Sequence, residues 1–331
     1  GKSGGMTSSR NRELGCGAKG RMLDWLEGEA EVRGAAIVED YPTLEGKERK
    51  DSKRGLGRLS LLVQLPPRLK LGLGTILEAE GHNYLSPENP QADEKGRKIK
   101  NSGIVGNVAY SLREGTEVNL NLGRSFRNRD YRQDRSDEDL DEKSFEGSIE
   151  YRLEGGSSLR FERGIKLTSY DFPHKYNFDD RDILDQKMAL QTNLPLPGTT
   201  SLSTRISTQD NSIIYLDGES SANNRRLAVY EFANLVSFSP GQATHLENTL
   251  GLRANYTTYR FNPERNTLVR SVRLGGKLSY SPRAGYPYQG DYLLTLEDRG
   301  AYLFNTGVGG WRYRKETQIW RHELSLSLPL V

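Results

Sequence analysis

From about Glu29 to the end of the chain, apolar and polar residues alternate. In 243–260 one parity reads Leu246, Asn248, Leu250, Leu252, Ala254 and Tyr256, and the other reads Glu247, Thr249, Gly251, Arg253, Asn255 and Thr257. In 267–281 Leu268, Arg270, Val272, Leu274, Gly276, Leu278 and Tyr280 oppose Val269, Ser271, Arg273, Gly275, Lys277 and Ser279. Segment 157–170 follows the same rule, except that Arg163 falls among its apolar positions. Successive side chains of a strand point to opposite faces, so this period of two predicts strands with one apolar and one polar face. The connections also alternate. Tight joints stand at 65–68, 113–116, 154–157, 195–198 and 239–242, and polar loops lie near 85–102, 127–143, 171–182, 208–224 and 261–267.

The predicted strands are 29–39, 57–65, 68–83, 103–113, 116–126, 144–154, 157–170, 183–194, 199–208, 225–238, 243–260, 267–281, 290–304 and 316–330. Most run roughly 9–15 residues, against about 5–6 for an ordinary globular strand and about 9–11 for a tilted strand crossing a bilayer. Long strands with short turns at one end and long loops at the other predict a transmembrane antiparallel up-and-down β-barrel. The expected count is about fourteen strands, within a range of about twelve to sixteen. An even count places both termini on the short-turn side. Tyr84, Tyr110, Tyr151, Tyr170, Tyr256, Tyr280, Tyr292 and Trp320 near strand ends suit aromatic girdles at the two interfaces. Residues 1–28 read as a flexible segment or small plug, and 29–331 as the barrel.

Composition narrows the choice between a wet face and disorder. Only 34% of the 331 residues are hydrophobic and 27% are charged. Yet there are 17 Tyr, 9 Phe and 35 Gly, and disordered chains are poor in aromatics. The net charge is +3 from 47 basic and 44 acidic residues, interleaved without a basic stripe, so nucleic acid is not an expected partner. One cysteine, Cys16, excludes an internal disulfide framework. No apolar run reaches about 18 residues, the length that marks a transmembrane helix.

Short motifs carry little chemistry. Gly15-Cys16-Gly17-Ala18-Lys19-Gly20 matches G-x-G-x-x-G but lacks the preceding buried strand and following helix that make it a nucleotide site. The carboxylate run Asp134–Glu142 offers hard oxygen ligands, but it lacks EF-hand spacing and has Arg129, Arg132 and Arg135 beside it; a solvated loop is expected. His82, His174, His245 and His322 show no metal or catalytic spacing and read as strand-end or loop residues. No cofactor and no enzymatic activity are expected.

The polar parity carries Lys70, Glu78, Arg113, Glu117, Glu150, Arg152, Arg160, Glu162, Lys166, Arg205, Arg253, Arg273 and Lys277. A Lys or Arg facing lipid at mid-membrane costs about 2–4 kcal/mol, so these residues are expected to line the lumen. Their mixed signs predict weak selectivity with a slight anion bias.

The repeated hairpins over 29–331 and the terminal strand Ile319–Leu328 resemble bacterial outer-membrane β-barrels of the porin-like kind. Such proteins usually end in an aromatic residue, whereas this sequence reads Leu328-Pro329-Leu330-Val331. The resemblance implies the bacterial outer membrane, with its lipid and lipopolysaccharide as surroundings and envelope proteins as candidate partners. It implies periplasmic turns, extracellular loops and a narrow water-filled pore for small solutes or a secreted polymer. The competing expectation is a structural barrel with a plugged lumen, serving as scaffold in an envelope complex.

Overall fold

The computed structural model describes residues 8–43, 46–65, 68–85, 96–113, 115–131, 137–173, 179–241, 243–281, 288–305 and 310–327. They form one sheet of fifteen strands, each hydrogen-bonded antiparallel to its sequence neighbours. The strands are β1 (Ser8–Leu23), β2 (Leu26–Thr43), β3 (Gly46–Leu65), β4 (Leu69–Leu85), β5 (Arg97–Arg113), β6 (Thr116–Tyr131), β7 (Glu138–Arg152) and β8 (Ser158–Asp171). They continue with β9 (Arg181–Leu196), β10 (Thr200–Tyr215), β11 (Arg225–Gly241), β12 (Thr244–Tyr259), β13 (Thr267–Tyr280), β14 (Tyr288–Asn305) and β15 (Gly310–Ser327).

All fourteen expected strands are present, and most extend further toward the long-loop end. The loop expected at 127–143 is largely strand: β6 runs to Tyr131, β7 starts at Glu138, and Arg129 pairs in register with Glu138. Glycine-rich Ser8–Leu23, expected to be flexible, forms β1 against β2, with Lys19 3.5 Å from Glu29 and Arg21 3.2 Å from Glu27. Glycine removed the side chains that would have shown alternation there. Asp24-Trp25 is then another short turn. Among the described residues the count is odd, so β1 starts at the loop end and β15 finishes at the turn end, where an even count was expected.

Glycine is required at two positions, one in a turn and one inside a strand. Gly115 has φ +89°, and a Cβ there would stand 2.5 Å from the Arg152 carbonyl oxygen. Inside β14, at Gly300, a Cβ would meet the Arg314 carbonyl, which explains glycine opposite the register shift where β15 carries the extra residue Glu316.

The loop end repeats one device. The side chains of Asp137, Asp180, Asn224 and Asn266 each accept the backbone N–H of an aromatic residue at or just past the preceding strand's end: Tyr131, Phe172, Tyr215 and Tyr259, at 2.6–2.7 Å. The main-chain carbonyls of Asp180, Asn224 and Asn266 then accept N–H groups from Leu216, Arg260 and Tyr302 of the following connection or strand. Each such residue closes its own hairpin and ties it to the next. Asn266 is 1% exposed.

Register sets the tilt. One row of paired residues crosses the sheet from Arg21 in β1, through Glu27, Asn121 and Lys187, to Thr317 in β15. In a parallel row the turns recede: Glu117 lies two residues beyond Gly115, Arg160 four beyond Gly156, Arg205 seven beyond Gly198 and Gly251 nine beyond residue 242. The stagger is about one residue per strand. A rise of about 3.3 Å against a strand spacing of about 4.8 Å gives a tilt of about 35°, the value membrane barrels adopt.

Candidate functional site: the polar face

The same register sorts every side chain onto one of two faces. The apolar face carries Leu120, Leu122, Ile149, Phe161, Ile206, Leu252, Leu274 and Leu324, all exposed. Among the described residues the buried hydrophobic ones are Ala189, Ala228, Leu268 and Ala301. A water-soluble domain does not leave its large apolar side chains outside and bury four small or medium ones. Lipid is the solvent that suits this face.

Charge marks the height of that apolar band. On the apolar face, Arg163 is the one Asp, Glu, Lys or Arg of the described strands fewer than nine residues from a short turn. The nearest of the others is Arg124, nine residues beyond Gly115; Lys143, Asp210, Arg270 and Asp298 follow further up their strands. Nine residues at about 3.3 Å each, tilted about 35°, span about 24 Å, which matches the roughly 25 Å apolar band of outer-membrane barrels. Arg163 donates to Gln186 at 2.8 Å, which satisfies part of its guanidinium.

Aromatic residues flank the band on this face. Tyr280 and Tyr288 pack together at the turn end, with ring centroids 6.2 Å apart. Tyr230, Tyr256 and Tyr302 form an edge-to-face chain toward the loop end, at 5.8 and 5.2 Å. Tyr170, expected in a girdle, instead lies on the polar face beneath the Arg181 guanidinium, 4.6 Å away. The side chain of Tyr84 lies outside the described residues.

Twelve of the thirteen charged residues singled out in the sequence share the polar face; Arg113 ends β5, and its side chain lies outside the described residues. They group into two kinds of wall. Across β6–β10 they form a ladder of alternating sign. Arg152 reaches Glu150 at 2.8 Å and Glu117 at 3.7 Å. Arg160 reaches Glu150 at 3.7 Å and Glu162 at 2.8 Å, and Arg205 reaches Glu162 at 3.2 Å. Lys166 meets Glu142 at 2.7 Å. A second network joins β3–β6: Arg54 donates to Glu78 at 2.9 Å, Asn101 donates to Glu78 at 3.1 Å, and Arg127 donates to Asn101 at 3.0 Å.

Across β12–β13 the cations stand apart. Arg253 donates to Asn255 at 3.0 Å. Among the described residues Arg253, Arg273, Lys277 and Lys70 make no ion pair. Lys277 lies in register between Glu247 and Asp291, and Arg253 beside Glu231. A hollow of about 510 Å³ on the polar face joins the two walls, lined by Arg160, Glu162, Lys187, Arg205, Glu231 and Arg253. Lys187 and Glu231 belong to this face but were missed in the sequence, where strand parity alone would have found them.

Other expectations resolve plainly. Part of the carboxylate run is strand, with Glu138 2.9 Å from Arg129 and Asp141 3.1 Å from Arg124. It is therefore not a free solvated loop, because the strand extension brings arginines opposite the acids. Among the described residues no cluster of His, Cys, Asp or Glu could hold a metal ion. His82 and His245 sit toward strand ends, while His322 lies well inside β15 on the apolar face, against expectation; His174 lies outside the described residues.

No protein family matches the sequence, and no curated protein does. Solved structures do. The alcaligin outer-membrane receptor FauA of Bordetella pertussis is similar at 10% identity with a TM-score of 0.52, over 98% of this chain and 58% of that one. The outer-membrane transporter YddB of Escherichia coli shows 8% identity and a TM-score of 0.47, over 88% of this chain and 55% of that one. The chain thus spans a little over half the length of either protein. With FauA it shares the antiparallel up-and-down architecture, and its fold is that of an outer-membrane β-barrel protein.

Proposed function

We propose that the protein resides in the bacterial outer membrane and forms a water-filled conduit, with the apolar face in lipid and the polar face lining the lumen. The observation that carries this reading is the contrast between the faces. Among the described residues one has a band about 24 Å high whose single charge is Arg163, and the other places ionic residues at the same level. Lipid and lipopolysaccharide surround the wall, and small solutes or a secreted polymer pass by sieving. The conduit does no covalent chemistry. The unpaired cations of β12–β13 give a weak preference for anions.

A second reading, a rigid scaffold with a filled lumen, is favoured by the β6–β10 ladder, whose charges neutralise one another across five strands. Planar-bilayer recording separates the two. The conduit reading predicts discrete current steps from folded protein whose migration on a gel changes on heating. Folded protein that inserts and carries no current would refute it in favour of the scaffold.

A further inference from the structure

Where the apolar band gives way to charge, the outward side of β10–β14 holds a second hollow, of about 810 Å³. Its floor is Ala228, a small residue standing in register between Asp210 and Tyr256. The edge-to-face tyrosines Tyr230, Tyr256 and Tyr302 wall it, and Arg226 and Arg260 line it toward the loop end. The capping residues Asn224 and Asn266, both buried, also line it, so the hollow is built on fixed backbone.

Its charge is one-sided. Among the described residues no Asp or Glu lines it, whereas the polar-face hollow has Glu162 and Glu231 in its wall. Arg226 turns Nε and Nη2 to Asp210 Oδ2, the first at 2.6 Å, which fixes the side chain and leaves the Nη1 donors for another acceptor. Arg260 makes no ion pair among the described residues and lies over the Phe261 ring at 5.4 Å. Elsewhere along this border carboxylates match the arginines: Asp141 lies 3.1 Å from Arg124, and Asp298 lies 3.2 Å from Arg270.

We propose that this hollow binds one phosphorylated glycolipid of the surrounding leaflet, its phosphate on Arg226 and Arg260 and its sugar and acyl roots on the three tyrosines. Arginine forks match phosphate geometry, and basic pockets at a membrane surface take lipid head groups. The volume falls within the roughly 300–1,000 Å³ of small-ligand sites. A soluble anion would use the arginines and leave the tyrosines bare. A second copy of this chain would bring Asp141, Asp210 or Asp298 to this height, and each is already paired. The site rests on the membrane-barrel reading above and goes beyond it: one lipid becomes a ligand at a fixed place, tying together the hairpin ends that Asn224 and Asn266 cap.

Native mass spectrometry of the detergent-solubilised protein, titrated with bis-phosphorylated lipid A, tests this. A single saturating adduct is expected. Arg226→Gln with Arg260→Gln should weaken it at least about tenfold, or about 1.4 kcal/mol. Ala228→Leu, which fills the floor and alters no charge, should weaken it comparably. Arg124→Gln, on the same face in β6, should leave it unchanged. Heat-modifiable migration verifies folding of each variant. Graded multiple adducts, weakened equally by Arg124→Gln, would overturn the site as unspecific shell lipid. Equal binding of lipid A stripped of its phosphates would overturn the role of the arginines. Saturation by inorganic phosphate at the same concentration would make this a soluble-anion site instead. A photocrosslinker at position 256 that captures a protein and no lipid in outer membranes would give the face to a protein partner. If heat-modifiable migration and bilayer currents persist through any of these results, the lipid site fails and the conduit stands. Protein that stays soluble without detergent would sink both.

Discussion

Arg205 Nη2 lies 3.2 Å from Glu162 Oε2, so a guanidinium on β10 reaches past Gln191 of β9 to a carboxylate on β8. Its other terminal nitrogen donates to Gln191 at 3.3 Å. One side chain therefore ties three strands on the polar face. Both charges are roughly 34–46% exposed, and such pairs contribute about 0–1 kcal/mol. Arg205→Gln should leave denaturant stability almost unchanged while shifting ion selectivity toward cations. A large stability loss with unaltered selectivity would mark the ladder as structural filling.

Further along the polar face, Arg253 and Lys277 have no carboxylate within ion-pair distance among the described residues. Reversing both, Arg253→Glu with Lys277→Glu, should move the reversal potential in a salt gradient clearly toward cation preference. An unmoved potential through an open pore would mean that these side chains do not face the permeating water.

Arg163 stands in the apolar band with a neutral partner, Gln186. Removing a lipid-facing arginine at depth should stabilise the barrel by up to about 2–4 kcal/mol, so Arg163→Leu is predicted to raise the urea midpoint of refolding in liposomes. Ile206→Arg, which introduces the same charge on the same face, should lower it by a similar amount. Destabilisation by Arg163→Leu would show that the arginine has a favourable partner in the membrane.

Asn266 is buried and holds the Tyr259 N–H at 2.6 Å. Asn266→Ala strands that donor and should cost about 1–3 kcal/mol. Asn266→Asp keeps an acceptor and should retain most of the stability. Equal losses in the two variants would mean that volume, and not the hydrogen bond, is what the site requires.

Strand existence and sidedness were legible in the sequence because alternation survives wherever both parities carry side chains, as in Leu246–Thr257. Where glycine blanked one parity, as at Gly15, Gly17 and Gly20, the signal vanished and β1 was missed. Losing that strand also put the start of the described sheet at the wrong end. Loop-end boundaries failed for a different reason. Above the lipid band both faces meet water, so Arg124–Tyr131 and Glu138–Lys143 lose their apolar parity while their backbones go on pairing. The capping residues Asp137, Asp180, Asn224 and Asn266 recur after aromatic strand ends, a repeat visible in the sequence but unreadable without knowing where the strands stop. The polar face was recognised one strand at a time, whereas the pairing of Arg205 with Glu162 depends on register across β9, which no single strand encodes.

The central claim is that the two faces of each strand meet different solvents, and cysteine scanning along β12 tests it most directly. In a Cys16→Ser background, single cysteines at 250 through 255 would be labelled in liposomes with a charged, membrane-impermeant thiol reagent. Positions 251, 253 and 255 should react and positions 250, 252 and 254 should not, with the order inverted for a lipid-soluble reagent. Uniform reactivity, or alternation of the opposite phase, would contradict the assignment of the polar face to water and the apolar face to lipid.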